Sequence, residues 1–156
     1  MRSDSRQVMM SMNIIAMPTD EEPQVVNIAI ENIRYITENR ILTSAEAGFL
    51  MELIVLVEPG NRLQTTSVRE IARRLKRSER RTRDLLQSLL RKSVLFEGKV
   101  RKGIFIHPEI LVVGSPENVP LWLAEEVMNL RRRNQVPKWP LVLMPGRRRG
   151  VWRWKN

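Results

Sequence analysis

One stretch constrains this chain more than any other: residues 66–106 place two short amphipathic helices, a tight turn and a basic hairpin in immediate succession. Ser67 reads as an N-cap with Glu70 three residues on, a pattern in which two otherwise unpaired backbone N–H groups are satisfied reciprocally. Val68, Ile71, Ala72 and Leu75 then recur at helical spacing as one buried stripe, with Arg69, Arg73, Arg74 and Lys76 on the other faces. The pattern stops at Lys76-Arg77, and Ser78 supplies a second N-cap. The second helix is predicted over residues 79–92, with Thr82, Leu85, Leu86 and Leu89 as its inner stripe. At about 100° per residue, that stripe leaves Arg80, Asp84, Gln87 and Arg91 facing away and puts Arg81 and Arg83 on the flanks.

The hairpin follows without a gap. Two apolar runs, Val94-Leu95-Phe96 and Ile104-Phe105-Ile106, bracket a segment in which two glycines enclose Lys99, Arg101 and Lys102. A glycine-flanked basic loop can lie close to phosphates. The order helix, turn, helix, hairpin predicts a winged helix-turn-helix in an α+β, mostly α, fold with a two- or three-stranded sheet. In that architecture the N-terminal residues of the second helix reach base edges in the major groove, where Arg forks onto guanine and Gln onto adenine. The expected DNA-binding residues are Arg69, Arg77, Ser78, Arg80, Arg81, Arg83, Asp84, Gln87, Lys99, Arg101 and Lys102. Within this set, Arg80, Arg83 and Gln87 are expected to read sequence. Lys99, Arg101 and Lys102 are expected to set affinity.

Charge is segregated along the chain. Residues 62–103 hold 14 basic and 4 acidic side chains, whereas residues 1–61 hold 4 basic and 9 acidic ones. A surface that only keeps a protein in solution mixes signs. The overall charge of +10 and the pI near 11.1 favour a polyanionic partner, either nucleic acid or an anionic membrane surface. Arginine outnumbers lysine, which suits bidentate contact with phosphate and guanine. The chain has no cysteine, so disulfides and thiolate chemistry are excluded and a reducing compartment is permitted. No apolar run approaches the ~20 residues that span a bilayer. Near the N-terminus, Arg2 and Arg6 precede no continuous apolar core, which argues against a signal peptide. A cytoplasmic location is expected, without a membrane partner.

Four segments are expected: a flexible lead (1–23), the winged helix-turn-helix DNA-binding domain (24–120), a C-terminal helix (121–135) and a basic Trp- and Arg-rich tail (136–156). The lead carries four methionines between Met9 and Met17 and an acidic cluster of Asp20, Glu21 and Glu22 before Pro23. Residues 25–36 read as a short strand or extended segment followed by a helical turn. Thr43 or Ser44 caps the next helix, with Glu46 in its first turn. Ala47, Leu50, Met51, Ile54 and Val57 form its apolar side, widened by Phe49, Leu53 and Leu56, and Glu58-Pro59-Gly60 ends it. His107, the only histidine, has no partner cluster and reads as structural rather than as a metal ligand or general base. Gly114, Ser115 and Pro116 mark a turn. The helix of residues 121–133 is either a dimerisation element or a helix that packs back on its own domain. In the tail, Trp139, Trp152 and Trp154 with Arg147, Arg148 and Arg149 combine rings and charge. That mixture suits single-stranded nucleic acid or an anionic interface, and a disordered solubilising tail is the competing reading. An adaptor that binds a membrane or a protein partner through this tail is the third functional class.

Catalytic motifs are missing. There is no Walker A loop, no dinucleotide glycine pattern and no zinc-ligand spacing. A serine triad lacks a credible histidine setting, and the acidic residues are too scattered for a metal-dependent nuclease. The expectation is a protein without catalytic activity, cofactor or metal.

The stretch Ile106-His107-Pro108-Glu109-Ile110-Leu111, the later Gly114-Ser115 and the extended Val25-Val26-Asn27-Ile28-Ala29-Ile30 carry a likeness. Together with the paired helices and hairpin, they resemble the RepL-type replication proteins of small bacterial plasmids and related phage elements. Those proteins carry a MarR-like winged helix, then a hydrophobic-Asn-Pro-Glu-Leu stretch and a Gly-Asp pair. Here His107 stands where the family has asparagine, and Ser115 where it has aspartate. The likeness covers about 95 of the 156 residues and leaves out the basic tail. It implies an initiator that binds double-stranded origin DNA and recruits host replication proteins; a homodimer on a repeated site is the default for helix-turn-helix proteins in general. The same surface would serve a MarR-like transcriptional regulator.

Overall fold

A computed structural model of the chain describes residues 9–14, 24–116, 119–146 and 152–155. It is an α+β fold with five α-helices and three small antiparallel sheets among those residues. The acidic cluster Asp20–Glu22 and the arginines at 147–149 lie outside the described residues.

The first sheet orders β1 (Met9–Ile14), β2 (Gln24–Ala29) and β7 (Leu111–Val113) side by side, all antiparallel. Part of the segment expected to be a flexible lead therefore forms a strand, because β2 offers it an edge. β2 runs directly into α1 (Ile30–Glu38), as the strand-then-helical-turn pattern implied.

α2 (Ser44–Leu53) begins at a complete capping box. Thr43 Oγ1 accepts from Glu46 N at 3.1 Å, and Glu46 Oε1 accepts from Thr43 N at 2.8 Å. The helix stops well short of the Pro59-Gly60 breaker. A 3-10 turn at Ile54–Leu56 leads into β3 (Val57–Glu58), so Val57 belongs to a strand. Ala47 and Met51 face solvent instead of joining the apolar side, which consists of Phe49, Leu50, Leu53, Ile54, Leu56 and Val57. The helical run ends because Val57 is extended and pairs with Leu63. This pairing turns the chain into a hairpin with β4 (Arg62–Leu63) before another helical turn can form.

Asn61, in that hairpin's turn, joins two sheets. It adopts a left-handed φ of 70°, which asparagine tolerates better than most residues. Its buried amide donates to the carbonyls of Ile106 at 2.9 Å and Leu111 at 2.7 Å and accepts from Val113 N at 2.9 Å.

The second sheet has the order β3-β4-β6-β5, with β5 at Leu95–Glu97 and β6 at Ile104–Ile106. It contains four strands rather than the expected two or three. β3 and β4 are only two residues each, too short to show alternation in sequence. Both faces of this sheet are covered. Leu95, Ile104 and Ile106 pack with α3 (Val68–Leu75) and α4 (Glu79–Arg91) in one apolar cluster. Phe96 and Phe105 pack with α5 (Leu121–Arg132) in another. The last helix thus packs back on its own chain, through Leu123, Ala124 and Val127.

The third sheet pairs β8 (Val142–Pro145) with β9 (Trp152–Lys155). Trp139, Trp152 and Trp154 are each at most 6% exposed. Trp154 Nε1 donates to the Pro108 carbonyl at 2.7 Å. Among its described residues the tail is therefore structured, and its rings fill the core instead of facing a ligand. No helix among the described residues is long and apolar enough to cross a membrane.

Candidate nucleic-acid interface

The rotation of α4 about its axis is set by what it buries. Thr82, Leu85, Leu86 and Leu89 face the core, the four positions the spacing picked out. Arg80, Arg81, Arg83, Asp84, Gln87 and Arg91 are consequently all exposed. α3 behaves in the same way, with Ile71 and Ala72 buried and Arg69, Arg73 and Arg74 exposed. Lys76, at a left-handed φ of 56°, turns the chain between the two helices.

Both N-caps are in place, with one difference from expectation. Ser67 accepts from Glu70 N at 3.2 Å, and Ser78 Oγ accepts from Arg81 N at 3.1 Å. The reciprocal half of the first box is not made. The Glu70 carboxylate turns to Arg73, with Arg73 Nε at 3.2 Å, while Ser67 N donates to Thr65 Oγ1 at 3.1 Å. An arginine one turn away offers two charged N–H donors, and these win over one backbone amide.

The expected interface residues differ in how free they are. Among the described residues, Arg69, Arg80, Arg81, Arg83, Lys99, Arg101 and Lys102 are exposed and have no ion-pair partner. Arg77 is different. Its Nε donates to Glu52 Oε1 at 3.0 Å, a second guanidinium nitrogen reaches the other carboxylate oxygen, and its Cζ lies 5.4 Å from the Phe49 ring centroid. That hydrogen bonding holds the Glu52 carboxyl below its usual range. Arg77 thus ties the inter-helix turn to α2. Ser78 likewise has its hydroxyl engaged in capping.

The loop of residues 98–103 is closed by Gly98 N donating to the Gly103 carbonyl at 3.1 Å. A Cβ at Gly98 would collide with the Arg101 carbonyl oxygen, so glycine is required by close approach. Two side chains from outside the hairpin hold the loop. Arg62 Nε donates to the Lys102 carbonyl at 3.1 Å. Glu126 Oε1 on α5 accepts from both Lys99 N and Val100 N, each at 2.7 Å.

Glu126 escaped the sequence reading. The signal that could have found it is an acid within the apolar stripe of Leu123, Val127 and Leu130. A second buried carboxylate, Glu109, was noticed only as part of a motif. It accepts from Trp139 Nε1 at 2.9 Å and Leu143 N at 2.7 Å and pairs with Arg131. His107 Nδ1 accepts from Glu109 N at 3.1 Å, and the fully buried ring has its pKa pushed down to about 3, first by desolvation and second by Arg131. No group of three or more His, Cys, Asp or Glu side chains that could hold a metal occurs among the described residues. Compared with known proteins, the chain matches no family model, no curated protein and no solved structure.

Proposed function

We propose that this chain is a sequence-specific binder of double-stranded DNA, built on a winged helix-turn-helix in which α4 is the recognition helix and residues 98–103 are the wing. The observation that carries the reading is the rotation of α4. Its core stripe leaves Arg80 and Arg83 exposed near a capped N-terminus and Gln87 exposed about one turn further along, with no ion pair on either arginine among the described residues. Side chains at that end of a recognition helix reach base edges, and Arg and Gln are the residue types that make bidentate base contacts. The wing cations contact backbone phosphate and supply affinity without sequence information.

The biological role we propose is origin binding by a plasmid or phage replication initiator acting in the cytoplasm with host replication proteins. The RepL-type stretch at residues 106–111 supports it. Glu109 of that stretch holds Trp139 and Leu143, which lie outside the likeness.

A salt titration of Arg80→Ala and Lys102→Ala on selected and random duplexes tests the DNA reading. Arg80→Ala should cost ~1–3 kcal/mol on the selected site and relax preference at one base pair. Lys102→Ala should weaken all duplexes alike and reduce the salt slope by about one unit. Equal weakening of both DNAs by Arg80→Ala would mean the two surfaces are wrongly assigned. A plasmid without another initiator that is not maintained by this protein would remove the replication role.

A further inference from the structure

α5 reaches the wing with more than one side chain. The Glu126 carboxylate, 8% exposed, holds two consecutive wing amides on one oxygen. The Trp122 ring, one turn earlier, meets Phe105 of β6 edge-on at 4.9 Å between centroids. Residues 126, 130 and 133 share one face of the helix, because positions four and seven residues apart stack along its axis. Arg133, the C-cap of α5, lines the same small pocket as Lys99 of the wing, together with Glu126 and Asn129. Among the described residues, Arg132 and Arg133 are exposed and without an ion pair, and Glu97, the exposed acid of that pocket, pairs with neither Lys99 nor Arg133.

We propose that α5 is the outer edge of the DNA interface: Glu126 sets the wing conformation, and Arg133, beside Lys99, contacts duplex phosphate beyond the wing. This rests on the DNA-binding reading above and extends it to a helix outside the helix-turn-helix. Duplex DNA is the favoured polyanion. The three described tail tryptophans that could have stacked on unpaired bases or entered a lipid interface are buried, leaving exposed cations, which recognise phosphate charge. Glu126 is a positioning residue and Arg133 a contact residue, so their substitutions have different signatures. Loss of the Glu126 carboxylate frees the Lys99 and Val100 amides, whereas loss of Arg133 leaves them held.

The test uses the full chain and a random-sequence duplex of about 40 base pairs, titrated with salt. Arg133→Ala should weaken binding and lower the magnitude of the log K against log [salt] slope by about 0.9, with Lys99 and Val100 amide exchange unchanged. Glu126→Ala should speed exchange at those two amides and lower affinity, and Glu126→Gln, which keeps an acceptor oxygen, should restore both in large part. If Lys102→Ala weakens binding while Arg133→Ala changes neither affinity nor slope, the α5 contact is wrong and the DNA reading stands. If Glu126→Ala leaves the amides protected and the affinity intact, the positioning role is wrong. A wild-type chain that binds anionic vesicles and no duplex overturns both this inference and the reading beneath it.

Discussion

Glu109, in the turn after β6, accepts a hydrogen bond of 2.9 Å from the indole of Trp139, thirty residues downstream, and both side chains are buried. The second carboxylate oxygen takes Leu143 N at 2.7 Å and faces Arg131. One carboxylate thereby fastens α5 and the C-terminal hairpin to the turn that follows β6. Asn32 of α1 completes the attachment by accepting from Leu141 N and donating to its carbonyl, at 2.7 and 2.8 Å.

Glu109→Ala removes the acid and leaves a partly buried guanidinium without its counter-charge. The expected cost is ~3–5 kcal/mol, measured by urea unfolding followed through tryptophan fluorescence. Trp139→Phe keeps an aromatic ring but loses the N–H donor and part of the indole volume, so the lost hydrogen bond, worth about 1–3 kcal/mol, is joined by a cavity cost. If Glu109→Ala costs no more than an exposed ion pair, roughly 1 kcal/mol or less, the carboxylate does not hold the tail.

Stability should fall on mild acidification because of His107. Its folded pKa is about 3 against an ordinary 6.5, so the unfolded chain takes up a proton that the folded chain refuses. The contribution is complete above 6.5 and is lost as pH drops towards 3, at up to ~1.4 kcal/mol per pH unit. Glu46 adds a second loss at lower pH. Burial raises its pKa, but hydrogen bonds from Lys92, Ser88 and Thr43 outweigh that and bring it from 4.5 to about 2. Above pH 4.5 the His107 effect should therefore stand apart from that of Glu46. His107→Asn keeps an acceptor for Glu109 N–H and does not titrate. Denaturation at about pH 7.5 and about pH 5 should show a loss in the wild type that the variant lacks. Equal losses in both would assign the acid sensitivity to another group.

Arg77 should behave as a structural residue. Its guanidinium and the Glu52 carboxylate are both partly exposed, so Arg77→Ala is expected to cost roughly 1 kcal/mol of stability. Preference among duplex sequences should be unchanged. A shift in the selected site on Arg77→Ala, comparable to that from Arg80→Ala, would add it to the base-reading set.

Thr82 faces the core of α4 with a buried hydroxyl that has no hydrogen-bond partner. Valine has the same shape and nearly the same helix propensity. Thr82→Val should raise stability by about 1 kcal/mol, seen as a higher Tm, and leave duplex affinity unaltered. A lower Tm would mean that the hydroxyl is satisfied in solution.

Local order was legible from the residues because it depends on near neighbours. The two N-caps, the inner stripe of α4 and the turn at Lys76-Arg77 follow from spacing within one or two helical turns. The same spacing placed Arg80, Arg83 and Gln87 outward. Charge segregation along the chain needs no folding to be seen.

Tertiary structure decided whatever depends on partners distant in sequence. β3 and β4 exist because Asn61 and β6 hold two-residue strands that have no periodicity of their own. Arg77 and Arg80 look alike in the chain, yet one meets Glu52 across 25 residues and the other meets no acid among the described residues. The tail tryptophans carry no local mark of burial. They are inside because Leu143, Trp152 and Trp154 find a covered sheet face at Phe96 and Phe105. Glu126 gained its place on the loop of residues 98–103 for the same reason. A carboxylate is only as free as the fold leaves it, and sequence spacing beyond a few turns says nothing of which donors will arrive.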